Sequence, residues 1–368
     1  MIVLRRTFVI LVGFLGLSTV GLLVYSFLTI RLRRQVQIAE WEARQFGQYT
    51  LEEKIGQGSM GIVYRARHAL LRRPTAIKLL PPDSHGSHSV ARFEREVQLT
   101  SQLTHPNTIQ IYDYGHTPDG IFYYAMEFLD GIDLRHLVAS NGPLPEARIH
   151  YLLIHICLSL GEAHQVGLVH RDIKPANIFL GKIGGEYDFV KVLDFGLVRP
   201  IQDSGKVTRS ERVAEPLTGT PAYMAPEVIN NPDRVDPRSD IYALGALAYF
   251  LACGNNVFEG NNVDEIFHQQ LHATPIPPSQ RYGTLLQPSF EKIMMQCLEK
   301  DPDQRPQTVR DLAVMLERCA GVDRWSEEKA RAWWLSCRPP ASPGQAPAAA
   351  DAEVAATDPT LRISMQER

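Results

Sequence analysis

The chain contains 368 residues, which is enough for two or three compact units. Its 38 lysines and arginines nearly balance its 41 aspartates and glutamates, so the overall charge gives no indication of a nucleic-acid partner. The five cysteines are scattered and form no C-x-x-C pair, which gives no sign of a disulfide framework or a zinc site.

An uncharged apolar segment extends from residue 7 to residue 30. At about 1.5 Å per residue it is long enough to cross a hydrocarbon core of roughly 30 Å. Arginines flank both ends, so the positive-inside rule does not settle the orientation. A cleaved signal peptide is the alternative, but its apolar region would be shorter and would end at a small-residue cleavage site. We predict a short flank over 1–6 and one transmembrane helix over 7–30.

Residues 31–48 are polar and begin with arginines, which predicts a solvated juxtamembrane segment near lipid head groups. A G-x-G-x-x-G pattern follows within short strand-like runs. A dinucleotide-binding turn would require a helix after the glycines, but a β-branched run follows them instead. The pattern therefore favours two strands whose turn lets backbone N–H groups approach phosphates. This glycine loop consists of Ile55, Gly56, Gln57, Gly58, Ser59, Met60, Gly61, Ile62 and Val63.

Lys78 stands in an apolar, strand-like run over residues 74–80, where a charge without a partner is costly. A lysine that snorkels to the surface is the alternative, but the preceding glycine loop favours contact with phosphates. The next predicted helix, over 89–103, offers both Glu94 and Glu96 as partners. Its periodicity does not separate the two glutamates.

The sequence reads H-R-D-I-K-P-A-N from His170, and D-F-G follows from Asp194. Transfer of a phosphoryl group needs a base near the acceptor hydroxyl, oxygen ligands for Mg²⁺ and positive charge near the phosphates. Asp172 is placed to accept the hydroxyl proton, and Lys174 can offset charge on the transferring group. Asn177 and Asp194 supply the hard oxygen ligands that Mg²⁺ prefers. The length and spacing of the match argue against coincidence.

These motifs resemble the catalytic loop and metal-binding turn of protein kinases. With the single anchor, the chain resembles the eukaryotic-like serine/threonine kinases of bacteria. The resemblance covers residues 49–318 and implies a two-lobed α+β fold, with a β-rich N-lobe over 49–129 and a larger helical C-lobe over 130–318. It also implies ATP and Mg²⁺ as cofactors, and serine or threonine hydroxyls of proteins as acceptors.

The same resemblance selects a partner for Lys78. The family places its glutamate seven residues before the leucine of L-x-H-P-N, here Leu103, which identifies Glu96. Phosphate contacts of Lys78 would then be supported by this glutamate.

The resemblance also implies how adenine is bound. Val63 would rest on the base, and Met126 would be the gatekeeper residue. The main chain at Glu127 and at Leu129 would form hydrogen bonds with adenine. Side-chain identity at those two positions therefore carries little information.

Residues 194–227 resemble an activation segment. Arg171 can receive a phosphorylated residue of that segment through charge-assisted hydrogen bonds. The candidate acceptors are Thr208, Ser210 and Thr218, of which the first two are favoured. Thr220 resembles the threonine that serine/threonine kinases place against the residues matching Asp172 and Lys174.

Three residues of the C-lobe have structural counterparts in the family. Asp240 resembles the helix residue that braces the catalytic loop from below. Arg305 resembles the arginine that pairs with Glu227. Such buried pairs would anchor the activation segment without touching substrate.

The C-terminal region divides into two parts. Residues 319–337 form a predicted helical extension that contains Trp325, Trp333 and Trp334. We expect it to pack on the large lobe, with a docking helix for a partner as the alternative. Residues 338–368 are rich in proline and alanine, which predicts disorder.

ATP is intracellular, so we expect the kinase domain to face the cytoplasm from a single-pass anchor in the cell membrane. No extracytoplasmic sensor is expected before the span. Input to this signal-transduction enzyme would come from a partner, from the membrane, or from autophosphorylation in trans within a homodimer.

Two other classes of protein remain as alternatives. A pseudokinase that signals by shape would be indicated by loss of Lys78, Asp172 or Asp194, and the sequence keeps all three. A membrane adaptor would place its function in the tryptophan helix and the tail.

Overall fold

The computed structural model describes residues 45–58, 61–80, 94, 97–117, 121–195, 199–200, 220–231, 235–319 and 323–336. The predicted transmembrane helix over 7–30 and the predicted tail over 338–368 lie outside these ranges. Within the ranges, no helix combines the length and the apolar character that a membrane span requires.

A six-stranded antiparallel sheet forms the smaller lobe, with strand order β1-β2-β3-β4-β6-β5. Its core contains Tyr64 and Ile77, both fully buried, and its strands are rich in β-branched and aromatic residues. The strands are β1 Gln45–Phe46, β2 Tyr49–Gly58, β3 Gly61–His68, β4 Pro74–Leu79, β5 Ile111–His116 and β6 Phe122–Glu127.

The register of this sheet places Lys78 in one row with residues of the two neighbouring strands. Lys78 of β4 lies opposite Val63 of β3 on one side and opposite Tyr124 of β6 on the other. Directly opposed residues share one face of a sheet, so the three side chains project the same way.

Helices dominate the larger lobe. The central helix α4 (Pro237–Cys253) is buried along 13 of its 17 residues, as expected for a helix that is apolar on all sides. Within it, a Cβ at Gly245 would lie 2.7 Å from the Cβ of Cys297, so only glycine permits this close packing. The helices are α1 Leu134–Asn141, α2 Glu146–Gln165, α3 Pro226–Asn230, α4 Pro237–Cys253, α5 Val263–His272, α6 Pro278–Tyr282, α7 Pro288–Cys297, α8 Val309–Glu317 and α9 Glu327–Ser336.

Short strands frame the loop that follows α2. Strands β7 (Gly131–Asp133), β9 (Ile178–Ile183) and β10 (Glu186–Val192) form a sheet of order β10-β9-β7. Strand β8 (Leu168–Val169) pairs with β11 (Arg199–Pro200). The predicted catalytic loop thus runs from the end of β8 to the start of β9.

A backbone crossing joins the end of β10 to the segment that precedes β5. The Ile109 N–H donates to the carbonyl of Val192 at 3.0 Å, and the Val192 N–H donates to the carbonyl of Asn107 at 2.7 Å. These bonds fix the chain two residues before Asp194.

The prediction of a β-sheet lobe followed by a helical lobe is confirmed.

Helix α9 packs on the large lobe around a buried ion pair between Arg148 and Asp188, both 0% exposed. The guanidinium donates to the two carboxylate oxygens at 2.9 and 2.6 Å. The indole N–H groups of Trp325 and Trp334 donate to the same carboxylate at 2.8 and 2.6 Å. Arg148 also lies 3.8 Å from the ring centroid of Trp333. We call these three tryptophans the tryptophan clamp.

Candidate active site

Asp240 of α4 holds the catalytic loop from inside the large lobe. Its two carboxylate oxygens accept the backbone N–H groups of His170 and Arg171, each at 2.9 Å. The imidazole of His164 lies 2.8 Å from one of these oxygens. Burial would raise the pKa of Asp240, but His164, His170 and the loop N–H donors hold that pKa below its ordinary value. The carboxylate is therefore ionised and braces the loop, as the resemblance implies.

The loop itself is bent at Arg171, whose φ of 67° lies in the left-handed region. Asp194, at the far side of the site, has a φ of 46°. Such conformations are unusual for residues other than glycine and are retained where the surrounding contacts impose them.

Asp172 is 7% exposed and lies at the centre of a network of polar side chains. Its Oδ1 accepts the Thr220 hydroxyl at 3.2 Å, and its Oδ2 lies 2.8 Å from the Nζ of Lys174. Lys174 also donates to the Thr220 hydroxyl at 2.9 Å. Asn177 donates to Asp172 Oδ2 at 3.0 Å. The structure therefore brings the predicted base Asp172 into contact with both Lys174 and Thr220.

Lys78 is 5% exposed and pairs with Asp194, whose Oδ1 lies 2.7 Å from the Nζ. Burial would lower the pKa of Lys78, but Asp194 and then Tyr124 raise it above its ordinary value. Burial would likewise raise the pKa of Asp194, but Lys78, Lys174 and His170 hold it lower. Both groups are therefore charged, and each compensates the other.

The predicted partner of Lys78, Glu96, lies outside the described residues. Glu94 is described, and its carboxylate lies 3.5 Å from the imidazole of His116. Sequence reasoning did not anticipate the direct contact between Lys78 and Asp194, which come from segments 116 residues apart.

The predicted metal ligands each keep one oxygen uncommitted within the described part of the chain. Oδ1 of Asp194 accepts a hydrogen bond from the ammonium of Lys78. Among the described residues, no donor reaches Oδ2 of Asp194. Asn177 donates through its amide nitrogen to Asp172, which leaves its Oδ1. The Leu193 N–H donates to the carbonyl of Asn177 at 2.8 Å, which holds the two segments side by side. These residues fit a Mg²⁺ ion that takes its remaining oxygen ligands from phosphates and water.

No group of three or more histidine, cysteine or acidic side chains suited to a metal occurs among the described residues.

The glycine loop closes between β2 and β3, where Gly58 and Gly61 lie opposite each other. Ser59 and Met60 lie outside the described residues. Gly61 has a φ of 132°, and a Cβ there would lie 2.1 Å from the carbonyl oxygen of Leu79. Only glycine allows this approach, which keeps the turn close to the strand that carries Lys78.

At the predicted hinge, Glu127 is held by both its main chain and its side chain. Its N–H donates to the carbonyl of Gln110 at 3.0 Å, and its carboxylate accepts the Gln110 N–H at 2.8 Å. The ammonium of Lys191 lies 2.5 Å from the same carboxylate. Sequence reasoning missed this ion pair, which ties the hinge to β10.

The activation segment is described only in part. The candidate phosphorylation sites Thr208, Ser210 and Thr218 lie outside the described residues. At the end of the segment, Arg305 donates to both oxygens of Glu227 at 2.7 and 2.8 Å. The predicted anchoring pair is therefore present.

The small lobe carries a glycine turn and a paired lysine, and the large lobe carries the predicted base beside the two predicted metal ligands. This arrangement defines a nucleotide-dependent phosphotransferase. The sequence pattern described as "Protein kinase domain" matches residues 49–314. The chain belongs to the protein kinase family, and the predicted kinase resemblance is confirmed.

Three similar proteins come from bacteria. The serine/threonine-protein kinase pkn3 of Myxococcus xanthus is 35% identical over 274 residues, which cover 73% of this chain and 49% of the relative. The serine/threonine-protein kinases PknB of Mycolicibacterium smegmatis and Mycobacterium tuberculosis are 36% and 37% identical to this chain over 275 residues. In both cases the alignment covers 73% of this chain and 42% of the relative. The aligned residues thus span about half or less of each relative.

Proposed function

We propose that this chain is a protein-serine/threonine kinase, which transfers the γ-phosphoryl group of ATP to hydroxyl groups of proteins. The observation that carries the proposal is the contact set among Asp172, Lys174 and Thr220. The similar bacterial proteins are named serine/threonine-protein kinases, which supports the same acceptor class.

The chemistry assigned to each side chain follows from these contacts. Asp172 orients the acceptor hydroxyl and takes its proton. Lys174, next to that carboxylate, offsets negative charge on the transferring group. Lys78 supplies the charge that holds the phosphates of ATP. Asn177 and Asp194 would hold Mg²⁺, which would neutralise charge on those phosphates when bound.

Thr220 connects the acceptor side to the base. Its hydroxyl donates to the carboxylate of Asp172 and accepts from the ammonium of Lys174. The two bonds together hold the carboxylate and the ammonium in place relative to each other. Because Thr220 begins the turn over Pro221–Tyr223, the main chain that would carry an acceptor peptide is tied to the base.

We further propose that the uncharged segment 7–30 anchors the enzyme in the cell membrane, with the kinase domain in the cytoplasm. The length of the segment and the intracellular location of ATP support this topology. A membrane-bound enzyme would encounter other copies of itself in two dimensions, which favours autophosphorylation in trans.

The acceptor class is tested with the full chain in detergent micelles, Mg-ATP labelled at the γ-phosphate, and three acceptor peptides that differ only in serine, threonine or tyrosine. We expect label on the serine and threonine peptides and none on the tyrosine peptide. Equal labelling of the tyrosine peptide would contradict the assignment. The topology is tested by membrane sedimentation of the full chain and of a chain lacking residues 7–30.

A further inference from the structure

Tyr124 approaches the predicted metal ligand from the strand next to Lys78. It lies opposite Lys78 in the register of β4 and β6, and it is 7% exposed. Its hydroxyl lies 3.5 Å from Oδ1 of Asp194, the same oxygen that accepts Lys78 at 2.7 Å. The ammonium of Lys78 lies 5.8 Å from the centroid of the tyrosine ring. Two side chains, one from β4 and one from β6, therefore converge on one carboxylate oxygen in the turn after β10.

The ammonium of Lys78 and the hydroxyl of Tyr124 both contact Oδ1 of Asp194. Within the described part of the chain, Oδ2 of Asp194 accepts no hydrogen bond. A carboxylate that binds a metal through one oxygen depends on partners at the other oxygen to fix its orientation. Lys78 alone supplies charge but little direction, because an ammonium is a compact point charge on a flexible stem. A phenol hydroxyl on a ring fixed by the sheet adds direction.

The hydroxyl is not needed to fill space. The ring of Tyr124 belongs to a small apolar cluster with Leu80, Val97 and Phe122. Phe122 lies two residues earlier on the same strand and contributes a plain phenyl ring to that cluster. A phenyl ring at position 124 would bury the same apolar surface, so what the hydroxyl adds there is a polar contact with Asp194.

We propose that Tyr124 is a positioning residue for Asp194, whose hydroxyl acts with Lys78 to hold Oδ1 and so presents Oδ2 to the divalent cation. The inference rests on the proposed function, because it assigns Asp194 to the Mg²⁺ that accompanies ATP. It adds to that function a residue outside the glycine loop, the catalytic loop and the D-F-G turn.

The test compares Tyr124→Phe with Tyr123→Phe in the full chain. Tyr123 is the adjacent residue of β6, so its side chain lies on the opposite face of the sheet. There it packs in an apolar cluster with residues of β2, β3 and β4. Calorimetry measures the affinity for a non-hydrolysable ATP analogue over a range of Mg²⁺ concentrations and in EDTA. Thermal unfolding is recorded for each variant without nucleotide.

We expect Tyr124→Phe to raise the Mg²⁺ concentration for half-maximal binding by on the order of 10-fold, as when a partner of a metal ligand is removed. Affinity in EDTA should not change, and Tyr123→Phe should match the wild type in both. An unchanged Mg²⁺ dependence in Tyr124→Phe would overturn the proposal, and a lowered melting temperature alone would assign the residue to packing. A wild-type chain whose nucleotide binding ignores Mg²⁺ would overturn the proposed function as well, which separates the two failures.

Discussion

The hydroxyl of Thr220 donates to Oδ1 of Asp172 at 3.2 Å, although 48 residues separate the two in the chain. This bond joins the end of the activation segment to the base of the proposed reaction. Any change that moves the segment therefore moves a donor to the base.

The first prediction concerns that hydroxyl. Thr220→Val keeps the shape of the side chain but removes the contacts with Asp172 and Lys174. We expect kcat to fall by on the order of 10-fold, the equivalent of one hydrogen bond to a charged group. Steady-state phosphorylation of a threonine peptide measures the effect. Thr220→Ser retains the oxygen and should keep most of the activity; equal rates in the two variants would contradict a role for the hydroxyl.

The second prediction concerns the ion pair beneath the tryptophan clamp. Arg148→Met leaves the Asp188 carboxylate buried with two indole donors but no charge partner. We expect a loss of about 3–5 kcal/mol of unfolding free energy, because a buried charge is left uncompensated. Trp334→Phe should cost about 1–3 kcal/mol through one lost hydrogen bond to the same carboxylate. Urea unfolding measures both.

Leu335→Ala serves as the control, since this leucine lies on the same helix and is 70% exposed. It should stay within about 0.5 kcal/mol of the wild type. A matching comparison uses truncation: removal of 338–368 leaves every described contact intact, whereas removal of 320–368 takes away the tryptophan clamp. Equal stability of the two truncated chains would show that the clamp does not stabilise the large lobe.

The third prediction concerns the glycine loop. Gly61→Ala would place a Cβ 2.1 Å from the carbonyl oxygen of Leu79, at a backbone conformation that alanine rarely adopts. We expect a clear fall in the melting temperature without nucleotide, on the order of several degrees. Gly56→Ala is the matched control, because its Cβ would lie 3.9 Å from Val63. A melting temperature of Gly61→Ala equal to that of Gly56→Ala would contradict the described turn.

The fourth prediction concerns pH. Burial lowers the pKa of His150 to about 4, and its imidazole lies 3.7 Å from the carboxylate of Glu146. The unfolded chain binds this proton near pH 6.5 but the folded chain does not, so stability falls as pH falls below 6.5. From pH 7.5 to pH 5.5, titration of His150 should lower the free energy of unfolding by about 1.4 kcal/mol.

Urea unfolding at the two pH values measures this term. His150→Gln should lose that part of the pH dependence, whereas His268→Gln, at an exposed position of α5, should keep the wild-type dependence. An unchanged dependence in His150→Gln would show that another group carries it.

The sequence was sufficient for the fold and for the residues of the catalytic loop, because these are contiguous motifs at fixed spacing. Asp172, Lys174 and Asn177 lie within six residues of one another, so a single loop brings them together. The pairs of Asp240 with the loop and of Arg305 with Glu227 could be expected only through the family resemblance.

Contacts that depend on register or on distant packing could not be predicted. Tyr124 lies opposite Lys78 because β4 pairs with β6 across residues that intervene in the chain, and periodicity does not fix that pairing. Arg148 and Asp188 each look like surface charges in the sequence, one in the first turn of a helix and one in a hairpin. In the structure both are fully buried, where they pair with each other beneath the tryptophan clamp.

The most direct test of the proposed kinase activity is transfer of labelled γ-phosphate from Mg-ATP by the full chain and by its Asp172→Ala variant, with mass spectrometry to locate the label. Asp264→Asn, at an exposed position of α5, controls for loss of a carboxylate elsewhere. We predict label on serine or threonine in the wild type and in the control, and a rate at least on the order of 10²-fold lower in Asp172→Ala. Equal labelling by Asp172→Ala, or no labelling by a wild-type chain that binds Mg-ATP, would contradict the proposed activity.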